Sequence, residues 1–337
     1  MKPISEAQRN ILLCAGLLAP AAELLPSMAM GQPGTSWLTV LLGGALAFLL
    51  LTLLLRPEQA PLDSRDTGPK QWVLIIYKVW FEFLLGVQLA GCAHRLLSFG
   101  ERDGSPLFFL AVLTLIVLYL ERSTLPAFAR AGQIFFAVLL VSAGFVLLLS
   151  LPNTRPERLI PVTLPGLSPV LGVSGLLCWG LPAVFLPVSR KQTRSGPWLW
   201  SGTALLLLTA SQMVILAGLG PGLAARVEYP FFSLAESVGI EGAFQRIESL
   251  VSSLWVFADL CLCGLLIFAR KAINRQKTEK ENRWTGAILI LVAAVFGYWM
   301  LNRPEILLFV ENTVVPIGNL LFTIELFLLR GMRRDRA

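Results

Sequence analysis

Apolar residues in this chain occur in long uninterrupted runs and do not alternate with polar ones. No charged residue occurs from Trp37 to Leu55, from Ala131 to Thr154 or from Trp284 to Asn302. Each run has about the 20 residues that an α-helix needs to cross roughly 30 Å of hydrocarbon. In the strands of an outer-membrane barrel, apolar and polar residues alternate along the chain, and that pattern is not found here. The pattern therefore predicts an all-α integral membrane protein.

Charge clusters and Pro/Gly punctuation divide the chain into ten predicted transmembrane helices, which we number in chain order. They cover residues 9–30, 35–55, 71–96, 105–121, 126–150, 168–188, 197–219, 242–269, 284–302 and 306–329. The remaining segments are too short to form a soluble domain, and the chain ends in a basic tail at 331–337.

The basic residues predict how these helices are oriented. With the N-terminus in the cytoplasm, 20 of the 28 Lys and Arg residues fall on the inner side and seven on the outer side. Arg95, at the end of predicted helix 3, is counted on the outer side and Arg270 on the inner side, while Lys78 alone is counted within the membrane. Cytoplasmic loops carry an excess of Lys and Arg, so both termini are expected inside.

The ten helices divide into two halves that predict an inverted repeat. A single transmembrane domain, 1–337, is expected to contain a first repeat at 1–150, an external linker at 151–166 and a second repeat at 167–330. Five spans in each half give the halves opposite orientations. In transporters of this layout the first helix of each repeat is broken near the membrane centre. Predicted helices 1 and 6 both carry helix-breaking residues: Gly16, Pro20, Pro26, Gly172, Gly175, Gly180, Pro182 and Pro187.

Composition excludes several classes of function. The chain of 337 residues is 55% apolar and only 15% charged, with a net charge of +7. Without a soluble domain to carry a basic patch, this charge predicts membrane orientation and no nucleic-acid binding. The single histidine, His94, lies at a predicted helix end and cannot complete a Ser-His-Asp triad, and no phosphate-binding loop is present. We therefore predict no catalysis and no cofactor.

The cysteines are interpreted as small buried thiols. Their odd number and wide spacing suit neither a disulfide framework nor a zinc site, so no metal site is predicted. All of them lie in apolar segments: Cys14, Cys92, Cys178, Cys261 and Cys263.

Four ionisable residues lie at membrane depth: Glu23, Lys78, Glu82 and Asp259. An unpaired charge there costs at least about 2.5–3.5 kcal/mol, so it usually marks a site or a partner. Lys78 and Glu82 are four residues apart and can form an ion pair on one helix face. Alternatively, the Lys78 side chain extends to the inner membrane interface, and Glu82 serves only as a partner for its charge. Glu23 either binds an ammonium group or a proton, or bonds to a neighbouring helix.

Predicted helix 8 carries one continuous polar face. Its members follow one another at spacings of three and four residues. A polar stripe through a span should face the helix bundle, where it either lines a water-filled path or joins helices by hydrogen bonds. The stripe consists of Gln245, Glu248, Ser252, Trp255, Asp259 and Cys263.

The start of predicted helix 8 resembles a known family. The segment Phe244-Gln245-Arg246-Ile247-Glu248, with Tyr229-Pro230 before it, is similar to the signature of endospore germination permeases, the B subunits of nutrient germinant receptors. Phe244, Arg246 and Glu248 are the motif residues. The opening segment with Ile4-Ser5, Gln8 and Leu24-Leu25-Pro26 resembles the same family. The chain departs from the family at Leu18 to Glu23, where a Gly-rich stretch is common.

This resemblance implies the amino acid–polyamine–organocation superfamily and a LeuT-like fold with a ligand pocket between helices 1, 3, 6 and 8. It implies a subunit that senses a small nutrient, here expected to be an amino acid. It also implies assembly with an A subunit and a lipoprotein C subunit in the lipid bilayer of the spore inner membrane. An autonomous amino-acid/cation transporter and a structural subunit without a ligand are the alternatives.

The predicted pocket combines two broken helices with side chains of helices 3 and 8. Breaks near Ala19-Pro20 and Gly172 to Gly175 would offer amides and carbonyls to a zwitterion. Glu23 and Asp259 are the expected contacts for an ammonium group or a proton. The two tryptophans of the set are expected to select the ligand side chain by shape. The residues predicted to bind the ligand are Gly16, Ala19, Glu23, Glu82, Gly172, Gly175, Trp179, Trp255 and Asp259.

Overall fold

The structure is a computed structural model. It describes residues 1–28, 35–55, 70–99, 104–160, 163–189, 197–238, 247–274 and 279–334. Over these ranges the secondary structure is helical, apart from one isolated parallel bridge between Ile4 and Val188. The all-α class predicted from the hydrophobic pattern is confirmed.

The helices follow the predicted order, with additional short elements between them. They are α1 (Glu6–Glu23), α2 (Leu25–Met28), α3 (Ser36–Leu54), α4 (Lys70–Phe99), α5 (Pro106–Arg122), α6 (Leu125–Ser150), α7 (Leu167–Leu177), α8 (Pro197–Leu219), α9 (Pro221–Ala224), α10 (Pro230–Ser237), α11 (Ile247–Ile273), α12 (Glu279–Leu301), α13 (Pro304–Phe309) and α14 (Val315–Arg334). Short 3-10 segments lie at Leu151–Asn153, Pro156–Leu159 and Cys178–Phe185, and a π-helical turn lies at Val310–Val314. Predicted helices 1, 3, 6 and 8 correspond to α1, α4, α7 and α11.

Eight segments of the described chain are long and apolar enough to cross a membrane. They are Ser36–Leu54, Trp72–Phe99, Leu125–Asn153, Leu167–Phe185, Leu199–Leu219, Ser249–Ile273, Trp284–Leu301 and Pro304–Leu329. Predicted helices 1 and 4 correspond to α1 and α5, which have 18 and 17 residues and fall outside this set. The chain is thus a membrane protein with at least these eight candidate spans.

Helix α11 lies at the centre of the bundle, and α6 and α8 lie at its surface. α11 packs against α1, α4 and α6, and most of its span is buried within the protein. By contrast, α6 and α8 leave large apolar side chains such as Val141, Leu148 and Leu206 exposed. Exposed apolar side chains of this kind suit contact with hydrocarbon. The polar residues of α11 are instead expected in the protein interior, away from lipid.

The interruption of predicted helix 1 comes later than expected. α1 continues through Pro20 to Glu23, and the short helix α2 begins at Leu25. Pro26 has no N–H group to donate to the preceding turn, so the hydrogen-bond ladder of α1 cannot extend past it. The predicted break near Ala19-Pro20 was wrong. The observed interruption places Glu23 at the C-terminal end of α1.

Predicted helix 6 changes at Cys178 and not at Gly172 to Gly175. α7 is regular up to Leu177, and the following 3-10 segment contains Pro182, which removes a backbone donor. Gly175 lies directly against the backbone carbonyl of Pro316 on α14, where a Cβ atom would overlap it. This glycine therefore allows close packing of α7 on α14 and does not break the helix.

Candidate functional site

A buried group of charges lies at the centre of the bundle. The guanidinium group of Arg95 on α4 binds two carboxylates, Glu23 at the end of α1 and Asp259 on α11. Arg95 Nη2 lies 2.5 Å from Asp259 Oδ2, and the Arg95 side chain is 0% exposed. Glu23, Arg95 and Asp259 come from three distant parts of the sequence, and we call them the Arg95 cluster.

Two further side chains of α4 hold Asp259 in place. Gln88 donates through Nε2 to Asp259 Oδ1 at 2.8 Å, and the Cys92 thiol donates to Oδ2 at 3.1 Å. Both side chains are neutral, so they position the carboxylate without balancing its charge. Counted with both carboxyl groups ionised, the Arg95 cluster therefore has one more negative than positive charge among the described residues.

Arg95 does not lie at the outer surface, where sequence analysis counted it. α4 continues to Phe99, beyond the predicted end at residue 96, and Arg95 points into the bundle. Two carboxylates compensate its charge, which makes burial of the guanidinium group tolerable. The sequence did contain a signal, because Gln88, Cys92 and Arg95 are four and three residues apart and share one helix face.

A second ion-pair cluster lies further along α11 at Arg270. Arg270 binds Glu82 of α4 and Glu121 of α5, with 2.6 Å between Nη2 and Glu121 Oε2, and Lys271 lies 3.5 Å from Glu121 Oε1. α11 runs to Ile273, beyond the predicted end at residue 269, so Arg270 is a buried helix residue and does not lie at the inner surface where it was counted. Eleven residues of helix correspond to about 16 Å. Glu82 therefore lies well away from Asp259.

A small cavity lies near the Arg95 cluster, and its lining does not include Glu23, Arg95 or Asp259. It has a volume of about 40 Å³ and lies between α1, α8, α10 and α11. Ala22, next to Glu23, and Trp255, one helical turn from Asp259, both line it. A cavity of this size holds a few water molecules and is smaller than an amino acid.

Gln212 on α8 brings an additional polar group to this cavity. Its Nε2 donates to the Ser36 hydroxyl at 3.0 Å, while its Oε1 has no hydrogen-bond partner among the described residues. Sequence analysis did not select Gln212, which is uncharged and lies in a span without ionisable residues. Trp255 is fixed nearby by donating its indole N–H to the Leu18 carbonyl at 3.0 Å.

The other predicted pocket residues take mainly packing positions. Ala19 is buried in the same apolar cluster as Trp255. A Cβ atom at Gly16 would lie 3.3 Å from Leu262 Cα on α11, so this glycine lets two helices approach. Gly172 lies near the Met28 side chain, at 3.3 Å by the same measure. Trp179 is buried, and its indole N–H has no partner among the described residues.

The described members of the polar stripe on α11 face the interior, as predicted. Ser252, Trp255, Asp259 and Cys263 are all buried. The motif residues Phe244 and Arg246 lie outside the described residues, as does the side chain of Glu248.

The other residues that carried the resemblance have structural roles. Ser5 and Gln8 form a capping box at the start of α1, in which each side-chain oxygen accepts a hydrogen bond from the other residue's backbone N–H at 3.2 Å. Tyr229 bonds to His94, with 2.8 Å between the hydroxyl and Nδ1. The cysteines are free thiols, four of them buried and Cys14 partly exposed.

Comparison with known proteins identifies the family of this chain. The family described as "Spore germination protein" matches residues 3–306 of the chain. Spore germination protein KB of Bacillus subtilis (strain 168) is 23% identical over 316 residues, covering 87% of this chain and 84% of that protein. Spore germination protein YndE of the same organism is 26% identical over 275 residues, covering 75% of each. The chain therefore belongs to the spore germination permease family, as its motifs predicted.

Proposed function

We propose that this chain is the membrane-embedded B subunit of a nutrient germinant receptor and that it binds an amino acid at the Arg95 cluster. The observation that carries the proposal is the unbalanced buried charge of Glu23, Arg95 and Asp259. A buried site with two carboxylates and one guanidinium group is stabilised by one more positive charge. The ammonium group of an amino acid supplies that charge.

The helix geometry around the cluster favours the same ligand. Glu23 is the last residue of α1, so the negative end of the helix dipole lies beside it and favours a cation. Arg95 Nε has no hydrogen-bond partner among the described residues, which leaves a donor for the ligand carboxylate. The cluster thus has complementary groups for both ends of a zwitterion.

The proposed site requires the cavity to widen when the nutrient binds. The space beside Ala22, Gln212 and Trp255 is about 40 Å³, which is enough for water only. α1 is interrupted at Leu24 and Pro26 has no backbone N–H, so fewer hydrogen bonds hold α2 to α1 than hold one turn of α1 to the next, which favours movement of α2 relative to α1. Gln212 Oε1 then becomes an acceptor for the ligand ammonium group.

We further propose the ten-span arrangement, with both termini in the cytoplasm and the two repeats at 1–150 and 167–330. α1 packs against α6 in the first half, and α7 packs against α14 in the second, which are equivalent pairs under the repeat. The first long helix of each half is also interrupted. Burial of Arg95 and Arg270 removes one basic residue from each side and preserves the charge asymmetry.

The A and C subunits of the receptor and the spore inner membrane are part of the same proposal. The support for both is the family to which the chain belongs. The second candidate function is an autonomous amino-acid/cation transporter, which the negative excess of the Arg95 cluster also favours. Amino-acid uptake by liposomes that contain only this chain would select the transporter, whereas binding without uptake would select the receptor subunit.

The proposed function predicts that amino acids stabilise the purified chain. A ligand at 100 times its dissociation constant adds about 2.7 kcal/mol to the free energy of unfolding. We expect at least one L-amino acid to raise the thermal midpoint of the detergent-solubilised chain. The matching carboxylic acid without an amino group should have no effect, because it lacks the cation. Equal stabilisation by the amino acid and by the matching carboxylic acid would contradict the proposal. So would the absence of stabilisation by every standard amino acid.

A further inference from the structure

A second acidic position, Glu311, lies apart from the Arg95 cluster. It is part of the π-helical turn Val310–Val314, which connects α13 to α14. The side chain is 6% exposed, and it forms no hydrogen bond or ion pair with any described residue. π-helical turns are rare and occur frequently at functional sites. Glu311 is therefore a buried carboxyl group that is not part of the proposed nutrient site.

The Glu311 carboxyl group occupies a space that is open because Gly91 on α4 has no side chain. A Cβ atom at position 91 would overlap Glu311 Oε1. Any other residue at this position would push the carboxyl group out of its place between α4 and the π-helical turn. The missing side chain and the irregular turn together form a cradle for one carboxyl group.

The charged and titratable groups around this cradle do not neutralise an ionised Glu311. Glu228 and Tyr229, which precede α10, interact with it electrostatically, and Glu228 repels a negative charge. On α4, His94 and Arg95 lie one turn beyond Gly91. Arg95 is already bound to both carboxylates of its own cluster. Burial without a bound cation favours the neutral acid over the carboxylate.

A bonded pair of side chains links this region to water. The Tyr229 hydroxyl and His94 Nδ1 are 2.8 Å apart, and His94 Nδ1 lies 3.5 Å from Glu228 Oε1. The Glu228 side chain is 41% exposed. Burial raises the pKa of the Tyr229 hydroxyl well above its usual value, so Tyr229 is a neutral hydroxyl group that releases one proton only as it takes up another.

We propose that Glu311 is a proton-binding site, reached from water through Glu228, His94 and Tyr229. In the binding step a hydronium ion at Glu228 gives up one proton and becomes water. His94 and Tyr229 each take up one proton and pass one on. One O–H bond forms on the Glu311 carboxylate, and the reverse step returns the proton to water. A metal cation would need several oxygen ligands, whereas the described residues bring one buried carboxyl group to this cradle. The site does not depend on nutrient binding.

Infrared spectroscopy of the full-length purified chain tests the proton site. At neutral pH, subtracting the spectrum of Glu311→Gln from that of the wild type should leave the C=O band of one protonated carboxyl group. The matched control is Glu305→Gln, which changes an exposed carboxylate at the start of the same helical segment and should leave no such band. Absence of the band from the first difference spectrum would overturn the proposal. So would loss of the fold in Glu311→Gln, because a neutral amide replaces a neutral acid of the same shape.

The route to water is tested with deuterium. After transfer to D2O, the Glu311 band shifts as its proton exchanges. Replacing His94 by phenylalanine removes the bond to Tyr229 and should slow this shift by roughly tenfold or more. An unchanged exchange rate in a folded His94→Phe chain would overturn the route.

Discussion

Replacing Arg95 by methionine is expected to destabilise the folded chain by about 3–5 kcal/mol, because two buried carboxylates then lose their shared cation. Glu23 and Asp259 face each other across the vacated position, deep in the protein interior. The measurements are the abundance of the chain in membranes and its thermal midpoint in detergent. Arg303→Met is the matched control, since Arg303 is an exposed residue that lies over the Trp299 ring.

Neutralising the partners should rescue the Arg95 variant. In the triple variant Glu23→Gln, Arg95→Met, Asp259→Asn no buried charge of the cluster is left, and most of the lost stability should return. Buried ion pairs can often be replaced by neutral groups without a net loss of stability. If the triple variant is as unstable as Arg95→Met alone, the loss comes from packing and not from charge.

The second large effect is expected at Arg270. Arg270→Met leaves Glu82 without its ion-pair partner and leaves Glu121 with only the Lys271 contacts. We expect a loss of about 3–5 kcal/mol in the free energy of unfolding, since the interior keeps an uncompensated carboxylate. The measurement is again the thermal midpoint of the solubilised chain.

Arg130→Met serves as the control for Arg270→Met. Arg130 is exposed on α6 and donates to the Pro126 carbonyl of its own helix. Its replacement should change the free energy of unfolding by no more than about 0.5 kcal/mol. If the two variants were equally stable, the Arg270 cluster would not hold α4, α5 and α11 together.

The hydrophobic pattern predicted the fold class because each long apolar run has only one stable structure in a membrane. A helix satisfies every backbone donor and acceptor within itself, so length and charge alone locate it. The polar stripe on α11 was predictable for a similar reason. Ser252, Trp255 and Asp259 repeat with the helical period, and a polar face avoids lipid.

The pairing of charges was not predictable from the same patterns. Arg95 and Arg270 lie near helix ends, where a basic residue usually extends to the membrane surface. Whether such a residue turns inward depends on carboxylates from other helices, here Glu23 and Glu121. These partners are far away in sequence and become neighbours only through tertiary packing.

The glycines misled the prediction of the helix interruptions. A glycine within a helix either loosens the backbone or lets another helix come close, and the sequence alone does not separate the two roles. Gly175 contacts Pro316 and Gly16 contacts α11, so both allow close packing. The interruptions instead lie within one turn before Pro26 and Pro182, where a backbone donor is missing.

Equilibrium binding of the stabilising amino acid to purified variants tests the nutrient site most directly. Asp259→Asn keeps the volume and leaves Glu23 and Arg95 as a balanced pair, so the fold should persist while the ammonium group loses a charged partner. A lost charge-assisted hydrogen bond of about 1.5–3 kcal/mol corresponds to roughly 10- to 150-fold weaker binding. Glu82→Gln, which changes the Arg270 cluster, should bind with wild-type affinity. Unchanged affinity in a folded Asp259→Asn chain, or an equal loss in Glu82→Gln, would contradict the assignment of the Arg95 cluster as the nutrient site.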